Sequence, residues 1–217
     1  MSVRTVLFDL DGTLADTGPD LAYALNLILT EEQRAVLPYE RIRPRVSHGG
    51  TALLRLGFPE LSVDSAQFDT LRNRMLAVYR ANIARHTRLF PGMAAVLDTI
   101  EARGMNWGVV TNKPAWLTEP LMEQLDLARR AASIVSGDST AHKKPHAAPM
   151  LLACTQAGSD APQCLYVGDA QRDIQAGRNA GMTTLVALFG YIGGEDRPDD
   201  WGADGQVNTP HEILDWI

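Results

Sequence analysis

The sequence predicts an α/β protein: a doubly wound, Rossmann-like parallel sheet core with an inserted small all-helical domain. Short apolar runs of strand length recur along the chain and alternate with helical patterns, as parallel sheets require for their crossovers. One long stretch after the first run has helical patterns only. The chain's 217 residues, 45% of them hydrophobic, are enough for one sizeable core and a small second domain.

Five apolar runs are predicted as strands, and we expect their carboxyl ends to meet at one edge of the sheet. They are residues 5–8, 107–110, 134–135, 165–167 and 184–188.

Helices are predicted between these strands. After Pro91 and Gly92, apolar residues recur at helical spacing from Met93 to Ile100, and Gly104 follows as a stop. Residues 115–127 and 147–157 show similar patterns. This alternation places helices on both faces of the sheet.

The stretch 16–88 is predicted to be an inserted helical domain, called the cap below. Apolar residues between Leu21 and Leu29 form one helical face, and those between Phe68 and Tyr79 form another. The core domain would then comprise residues 1–15 and 89–217. Such a cap can close over the strand ends and exclude water, although a rigid addition would have the same pattern.

Composition excludes several classes of protein. A formal charge of -6 argues against a nucleic-acid partner and an anionic membrane surface. No apolar run reaches the roughly 18 residues that span a bilayer, so no membrane partner is expected. The two cysteines have no metal-like spacing, which favours a reducing, cytoplasmic location. We expect a monomer or homodimer.

Asp9 and Asp11 follow the first predicted strand and are the leading candidates for chemistry. Two carboxylates at a strand end repel each other unless a cation or a shared proton offsets the repulsion. Mg²⁺ suits this position, because it binds one or two carboxylates together with water and substrate phosphate oxygens. An ordinary turn is the alternative, since Asp, Gly and Thr are all turn formers.

Two later strand ends carry groups suited to phosphate. Thr111 and Asn112 can hold phosphoryl oxygens near a helix N-terminus, or can simply cap the helix. Lys144 lies directly before Pro145, and that proline is expected to open a helix. Lys144 is the predicted cation beside a nucleophilic carboxylate at the first strand end.

Asp169 and Asp173 follow the strand 165–167 and lie one helical turn apart if a helix begins between them. Asp169 can then ligate the metal. Asp173 would be a weaker ligand or an acceptor that orients a metal-bound water or Lys144. Helix capping is the simpler alternative for either residue.

These four strand ends, in this order, resemble the haloacid dehalogenase superfamily of phosphotransferases. The resemblance implies that Asp9 is the nucleophile that forms an aspartyl phosphate and that Asp11 is the acid and base. It also implies that Lys144 pairs with Asp9, and that Asp169 binds Mg²⁺ together with Asp9 and the Asp11 backbone carbonyl. Thr111 and Asn112 would hold the phosphoryl group.

The second aspartate favours phosphate esters over halides, because an alkoxide leaving group needs the proton that Asp11 supplies. Related sugar phosphomutases usually carry a histidine where this chain has Leu21, so net hydrolysis is expected. A non-catalytic sensor of a phosphorylated ligand is the alternative from another class.

Two branches of the superfamily compete for the substrate. Residues 16–21 and 111–114 resemble phosphoglycolate phosphatases, although that branch tends to have Val-Gly-x-Gly where this chain has residues 46–50. Residues 107–114, 189–192 and 200–204 also resemble a phosphatase of N-acetylmuramic acid 6-phosphate. Both substrates are small phosphorylated metabolites with a carboxylate, which Arg45 or His48 of the cap is predicted to contact.

Overall fold

A six-stranded parallel sheet forms the centre of the computed structural model, which describes residues 2–217. The sheet order is β5-β4-β1-β6-β7-β8, and the predicted fold class is confirmed. The strands along the chain are β1 (Thr5–Phe8), β2 (Ala15–Asp16), β3 (Arg88–Leu89), β4 (Asn106–Val110), β5 (Ser133–Val135), β6 (Cys164–Gly168), β7 (Thr183–Ala187) and β8 (Gly205–Val207).

Eight α-helices occur within residues 2–217, and four of them lie between β2 and β3. They are α1 (Gly18–Glu31), α2 (Tyr39–Ile42), α3 (Gly49–Gly57), α4 (Ala66–Ala81), α5 (Met93–Ala102), α6 (Ala115–Gln124), α7 (Ala148–Ala157) and α8 (Gln171–Ala180). A 3₁₀ helix, Arg43–His48, connects α2 with α3. We find no helix in this described range whose length and hydropathy would let it cross a membrane.

Strand β1 lies in the middle of the sheet, between β4 and β6. Val6 and Phe8 belong to the apolar cluster on one face, and Leu7 belongs to the cluster on the other. All three are fully buried, which explains why the strand is a continuous apolar run and not an alternating one. The central strand therefore delivers Asp9 and Asp11 to the middle of the carboxyl edge.

The cap helices pack through the apolar faces that the sequence predicts. Leu25 and Ile28 of α1 and Phe68 and Met75 of α4 are all fully buried in one cluster. Ser65 caps α4, since its hydroxyl accepts a hydrogen bond from the Phe68 amide at 3.2 Å. This cluster continues into the core domain.

A two-stranded antiparallel ribbon stands where the chain enters and leaves the cap. Ala15 is paired with Leu89 and Asp16 with Arg88. The apolar pattern did not predict this ribbon, because two residues are too short to show alternation. The boundaries at 15/16 and 88/89 fall within it, and the division into two domains stays a prediction.

Two further details differ from the expectations. The proline that opens α7 is Pro149, in the first turn of a helix that begins at Ala148, so the predicted helix start at Pro145 is wrong. Strand β8 was not predicted, because only Val207 of its three residues is apolar.

Candidate active site

The predicted side chains converge at the carboxyl edge of the sheet. Asp9 and Asp11 follow β1, Thr111 follows β4, and Asp169 follows β6. A cavity of about 630 Å³ opens at this edge. It is lined from the core side by residues that include Asp9, Asp11, Thr111, Asn112, Lys113 and Arg172, and from the cap side by residues that include Val46, Ser47, His48, Arg72, Asn73 and Tyr79.

Asp9 is buried at the floor of this cavity and forms an ion pair with Lys144. The Lys144 Nζ lies 2.9 Å from Asp9 Oδ1, and the Leu10 amide donates to the same oxygen at 2.8 Å. Burial alone would raise the pKa of Asp9, but the charges of Lys144 and Arg172 outweigh it and hold the pKa below its usual value. The group is therefore a carboxylate, the form in which it is nucleophilic.

Lys144 is held in place by four oxygen contacts. Besides Asp9, its ammonium group lies 2.8 Å from Asp173 Oδ1, 2.8 Å from the Val110 carbonyl and 2.8 Å from the Tyr166 hydroxyl. Its side chain is fully buried. An ammonium group so enclosed has a fixed position relative to Asp9.

Asp9, Asp169 and Asp173 form a buried cluster of carboxylates. One oxygen from each lies within 4.8 Å of the others. Burial, together with the charges of Asp9 and Asp173, raises the pKa of Asp169 to about 7. Lys144 and Arg172 are the two cations that offset these three carboxylates, so one negative charge remains and the cluster fits a bound cation.

The donor set of this cluster favours a hard divalent ion. Asp173 is already engaged, because its Oδ2 accepts from the Ala170 amide at 3.0 Å and its Oδ1 lies against Lys144. Asp9 and Asp169 each keep one oxygen with little or no engagement within residues 2–217: Asp9 Oδ2 has no hydrogen bond, and Asp169 Oδ1 has only the Thr13 hydroxyl at 3.4 Å. One or two carboxylates plus water and phosphate oxygens is the environment in which Mg²⁺ binds.

Asp11 has different partners from Asp9. The Lys113 ammonium lies 2.9 Å from Asp11 Oδ1 and 3.1 Å from Oδ2, and the Thr17 hydroxyl donates to Oδ1 at 2.6 Å. The two aspartates thus have different cationic partners, Lys144 for Asp9 and Lys113 for Asp11. In the sequence, Lys113 is only one member of the motif 111–114, and a lysine three residues after a strand does not indicate this contact.

Gly12 lets the turn after Asp11 come close to Asp169. Its φ is +89°, a backbone conformation that favours glycine, and a Cβ atom there would overlap Asp169 Oδ2. The turn therefore brings the backbone of β1 against the carboxylate that follows β6.

Thr111 and Asn112 line the cavity, but their side chains are used differently. The Thr111 hydroxyl accepts a hydrogen bond from the Lys113 amide at 3.1 Å and keeps its own proton for a ligand. Asn112 Nδ2 donates to the Lys144 carbonyl at 3.0 Å, and the Lys144 amide donates to Asn112 Oδ1 at 3.0 Å. The Asn112 side chain thus positions the Lys144 loop in this structure.

The cap contributes Ser47, which no sequence pattern predicts as a site residue. Its hydroxyl donates to Asp169 Oδ2 at 2.7 Å and lies 3.3 Å from the Asp11 carbonyl. Arg172 in turn donates to the Ser47 carbonyl. The cap segment is therefore bonded to the atoms predicted to hold the metal, at the position where this chain departs from the Val-Gly-x-Gly pattern.

The two predicted specificity residues of the cap lie in different places. His48 lines the cavity and is exposed to solvent, and partial desolvation together with the charge of Arg172 lowers its pKa. Arg45 does not line the cavity: it forms an exposed ion pair with Glu195 at 3.1 Å. The cation that the cap presents to the cavity is Arg72 of α4.

Comparison with known proteins identifies relatives over nearly the whole chain. The model of the haloacid dehalogenase-like hydrolases matches residues 6–187. A phosphoglycolate phosphatase of Xanthomonas campestris is 41% identical over 97% of this chain and 94% of its own length. An N-acetylmuramic acid 6-phosphate phosphatase of Pseudomonas putida is also 41% identical, over 98% of this chain and 95% of its own.

A solved structure agrees with this result. The crystal structure of a predicted phosphoglycolate phosphatase from Haemophilus somnus superimposes with a TM-score of 0.87 at 26% identity. The match covers 99% of this chain and 98% of that one.

Proposed function

Because this chain belongs to the haloacid dehalogenase-like hydrolases, we propose that it is a Mg²⁺-dependent phosphatase that hydrolyses a small phosphate monoester through an aspartyl-phosphate intermediate. The observation that carries the proposal is the buried ion pair of Asp9 and Lys144 beside the carboxylate of Asp169. It presents a charged nucleophile, a cation for the phosphoryl group and a metal-binding carboxylate at one point.

In the first step, an oxygen of Asp9 attacks phosphorus and the bond from phosphorus to the leaving oxygen breaks. Asp11, protonated for this step, transfers its proton to that leaving oxygen. Lys144 and the Thr111 hydroxyl stabilise the negative charge on the phosphoryl oxygens. The alcohol then leaves through the cavity.

In the second step, Asp11 acts as a carboxylate and takes a proton from water. The water oxygen attacks phosphorus, and the bond from phosphorus to Asp9 breaks to release phosphate. Dividing the reaction in this way replaces one slow hydrolysis by two faster displacements.

Asp9, Asp169 and the Asp11 backbone carbonyl are the groups proposed to hold Mg²⁺, with Asp173 supporting Lys144. The ion, when bound, neutralises charge on the phosphoryl oxygens and offsets the repulsion among the carboxylates.

The substrate is proposed to be 2-phosphoglycolate or a similar small ester, and N-acetylmuramic acid 6-phosphate is the second candidate. Relatives named for both activities are equally similar to this chain, at 41% identity. The cavity of about 630 Å³ is large enough for the larger sugar phosphate as well. A cytoplasmic location and a monomeric or homodimeric state complete the proposal.

The first test replaces the nucleophile. Asp9→Asn keeps the shape of the side chain, and we expect phosphate release from a panel of metabolites with MgCl₂ to fall by at least about a thousandfold. Asp215→Asn, an exposed aspartate, is the matched control. Unchanged turnover in Asp9→Asn would contradict the mechanism. Tight binding by the native protein without any turnover would favour a sensor.

The second test compares kcat/KM for 2-phosphoglycolate and N-acetylmuramic acid 6-phosphate. A preference of more than about tenfold, or 1.4 kcal/mol, assigns the branch. Similar weak activity on both rejects either narrow assignment.

Arg45→Ala and Arg72→Ala, measured with both esters, test the predicted carboxylate contact. We expect Arg72→Ala to raise KM for the preferred ester, because Arg72 lines the cavity. A rise in KM confined to Arg45→Ala would instead support the contact predicted from the sequence. Arg45 would then have to break its ion pair with Glu195.

A further inference from the structure

Lys113 lies between the cap and the carboxylate of Asp11. Its side chain is only 6% exposed, and its ammonium group contacts both oxygens of Asp11, at 2.9 and 3.1 Å. The ring of Tyr79, in α4 of the cap, lies 4.6 Å from the same ammonium group, in cation–π geometry. One lysine therefore contacts both the core acid and a cap helix.

The backbone of Lys113 is fixed by the core. Its amide donates to the Thr111 hydroxyl at 3.1 Å, and its carbonyl accepts from the Gly137 amide at 2.8 Å and from the Thr118 hydroxyl at 3.1 Å. With its backbone held by three bonds and its ammonium held by Asp11 and Tyr79, the side chain spans a defined distance. The position of the Asp11 carboxylate is set by that span.

Thr17, just before α1, donates to Asp11 Oδ1 at 2.6 Å and is the second contact on this carboxylate. Thr17 follows directly on β2, at the entry to the cap, whereas Lys113 follows β4 of the core. Two donors that approach from different elements restrict both the direction and the rotation of the carboxylate. Removal of Lys113 would leave Thr17 as the only side-chain donor to the Asp11 carboxylate within residues 2–217.

A role in binding the substrate directly is less consistent with this geometry. Both oxygens of Asp11 already engage the Lys113 ammonium, the aromatic ring covers it, and almost none of the side chain is exposed. Lys113 lines the cavity, but its ammonium group is already engaged by Asp11 and Tyr79, whereas a lysine that recognises a carboxylate of the substrate would keep its ammonium group free.

We propose that Lys113 is a positioning residue that holds the Asp11 carboxylate in line with the leaving oxygen, and that the Tyr79 ring makes this position depend on α4 of the cap. The proposal rests on the proposed function, because it assumes that Asp11 transfers the proton. It predicts that proton transfer, and not binding, is impaired when the ammonium group is removed.

The test compares two esters that differ in their need for a proton. p-Nitrophenolate leaves without a proton, whereas the alkoxide of a short alkyl phosphate, whose alkyl group carries no charge, needs one. In Lys113→Met we expect kcat/KM for the alkyl ester to fall by about 100-fold, because a misplaced acid loses its reaction geometry. We expect the ratio of kcat/KM for the alkyl ester to kcat/KM for the aryl ester to fall by about 10-fold.

Lys113→Arg should restore part of this ratio, since it keeps the charge. Lys143→Met is the matched control, because Lys143 lines the same cavity and has no hydrogen bond or ion pair with Asp11 in the described range. Whatever Lys143→Met does to the two rates, it should leave their ratio unchanged. Tyr79→Leu should lower the ratio in the same direction as Lys113→Met, to a smaller extent.

An unchanged or raised ratio in Lys113→Met would overturn the proposal. A rise in KM for carboxylate-bearing esters alone would assign Lys113 to substrate binding instead. If Lys113→Met does not fold, the ratios of Lys113→Arg and Tyr79→Leu decide, and native ratios in both would overturn it. A native protein that hydrolyses no phosphate ester would count against the proposed function, which separates the two failures.

Discussion

Lys144 is the residue whose contacts connect Asp9 with the rest of the site. It pairs with Asp9 and Asp173 in a fully buried position, where water does not reach either carboxylate to replace the ammonium group. A buried ion pair adds little net stability, yet removing one partner is costly because the other charge remains unpaired.

The first prediction concerns Lys144→Met, which removes the ammonium group and keeps the length of the side chain. We expect the free energy of unfolding, measured with urea in the absence of Mg²⁺, to fall by about 3–5 kcal/mol, because two buried carboxylates lose their cation. Lys143→Met, at the exposed neighbouring position, should change it by less than about 0.5 kcal/mol. Equal effects of the two variants would show that the buried pairs contribute nothing specific.

The second prediction concerns Asp169 and pH in the metal-free protein. Burial and the neighbouring carboxylates raise its pKa to about 7, so the folded state holds a proton that the unfolded state loses near pH 4. The contribution of Asp169 to stability is therefore present below about pH 4 and is lost as pH rises to about 7. Asp169→Asn should flatten this part of the pH–stability curve. A native curve that rises across the same range in parallel with that of the variant would contradict the prediction.

The places of the site residues were predictable where a side chain follows a buried strand. Asp9, Thr111 and Asp169 were found in this way, because the edge of a parallel sheet gathers the ends of its strands. Lys113 and Ser47 were not, because their partners are 102 and 122 residues away along the chain. No local pattern records such a contact.

At the scale of elements, the junction between the cap and the core is held by polar contacts that join distant segments. Asp20, in the first turn of α1, is fully buried and accepts hydrogen bonds from the amides of His86 and Thr87 and from the Thr87 hydroxyl. The start of the cap is thereby fastened to its end.

Tyr191 makes a similar connection from the core side. Its hydroxyl donates to Asp16 Oδ1 at 2.5 Å and accepts from the Gly18 amide at 2.7 Å. These contacts connect the beginning of α1 to the loop after β7. A movement of α1 away from this loop would break them.

The third prediction follows from Asp20. Asp20→Asn keeps its shape but places an NH₂ group against backbone donors, and we expect the free energy of unfolding to fall by about 2 kcal/mol. Thermal or urea unfolding followed by circular dichroism measures this change. Asp64→Asn, an exposed aspartate in the cap, is the control and should remain near the native value. A native-like stability of Asp20→Asn would show that these hydrogen bonds do not fasten the junction.

Among the elements, the long and strongly periodic ones were predicted best. The five strands and the helices predicted after Gly92, over 115–127 and over 147–157 appear close to their expected positions, because hydrophobic burial sets their pattern. The β2/β3 ribbon and β8 were missed, since short strands depend on a partner that the local sequence does not specify.

For the molecule as a whole, the carboxylate cluster would couple binding of the proposed Mg²⁺ to stability. Asp9, Asp169 and Asp173 come together only in the folded chain, so an ion that binds them binds the folded state alone. Mg²⁺ should therefore stabilise the protein in proportion to the logarithm of its concentration.

The fourth prediction quantifies this coupling. At a Mg²⁺ concentration about 100 times its Kd, the stability should rise by about 2.7 kcal/mol. For a protein of this size that corresponds to a rise in Tm of about 5–10 °C. Differential scanning fluorimetry at pH 7.5 with and without EDTA measures it. Asp169→Asn should abolish most of the rise, and a Tm independent of Mg²⁺ in the native protein would contradict a metal site in the cluster.

The hydrolase class was predictable from the sequence, because four strand ends with matching chemistry constrain the site more than any one motif does. The similarity to known hydrolases confirms it. The inserted helices were also predictable, from their apolar faces. What the sequence determined by itself is therefore the order of its elements and the chemical groups at the strand ends, since both depend on local periodicity and burial.

The tertiary structure decided which of these groups meet. It brings Lys113 to Asp11 and Lys144 to Asp9, so that the two aspartates have separate counter-ions. It also turns Arg45 towards Glu195 and directs Ser47 to Asp169. Such choices depend on distances of a few ångströms between residues far apart in sequence, and only the packed chain sets those distances.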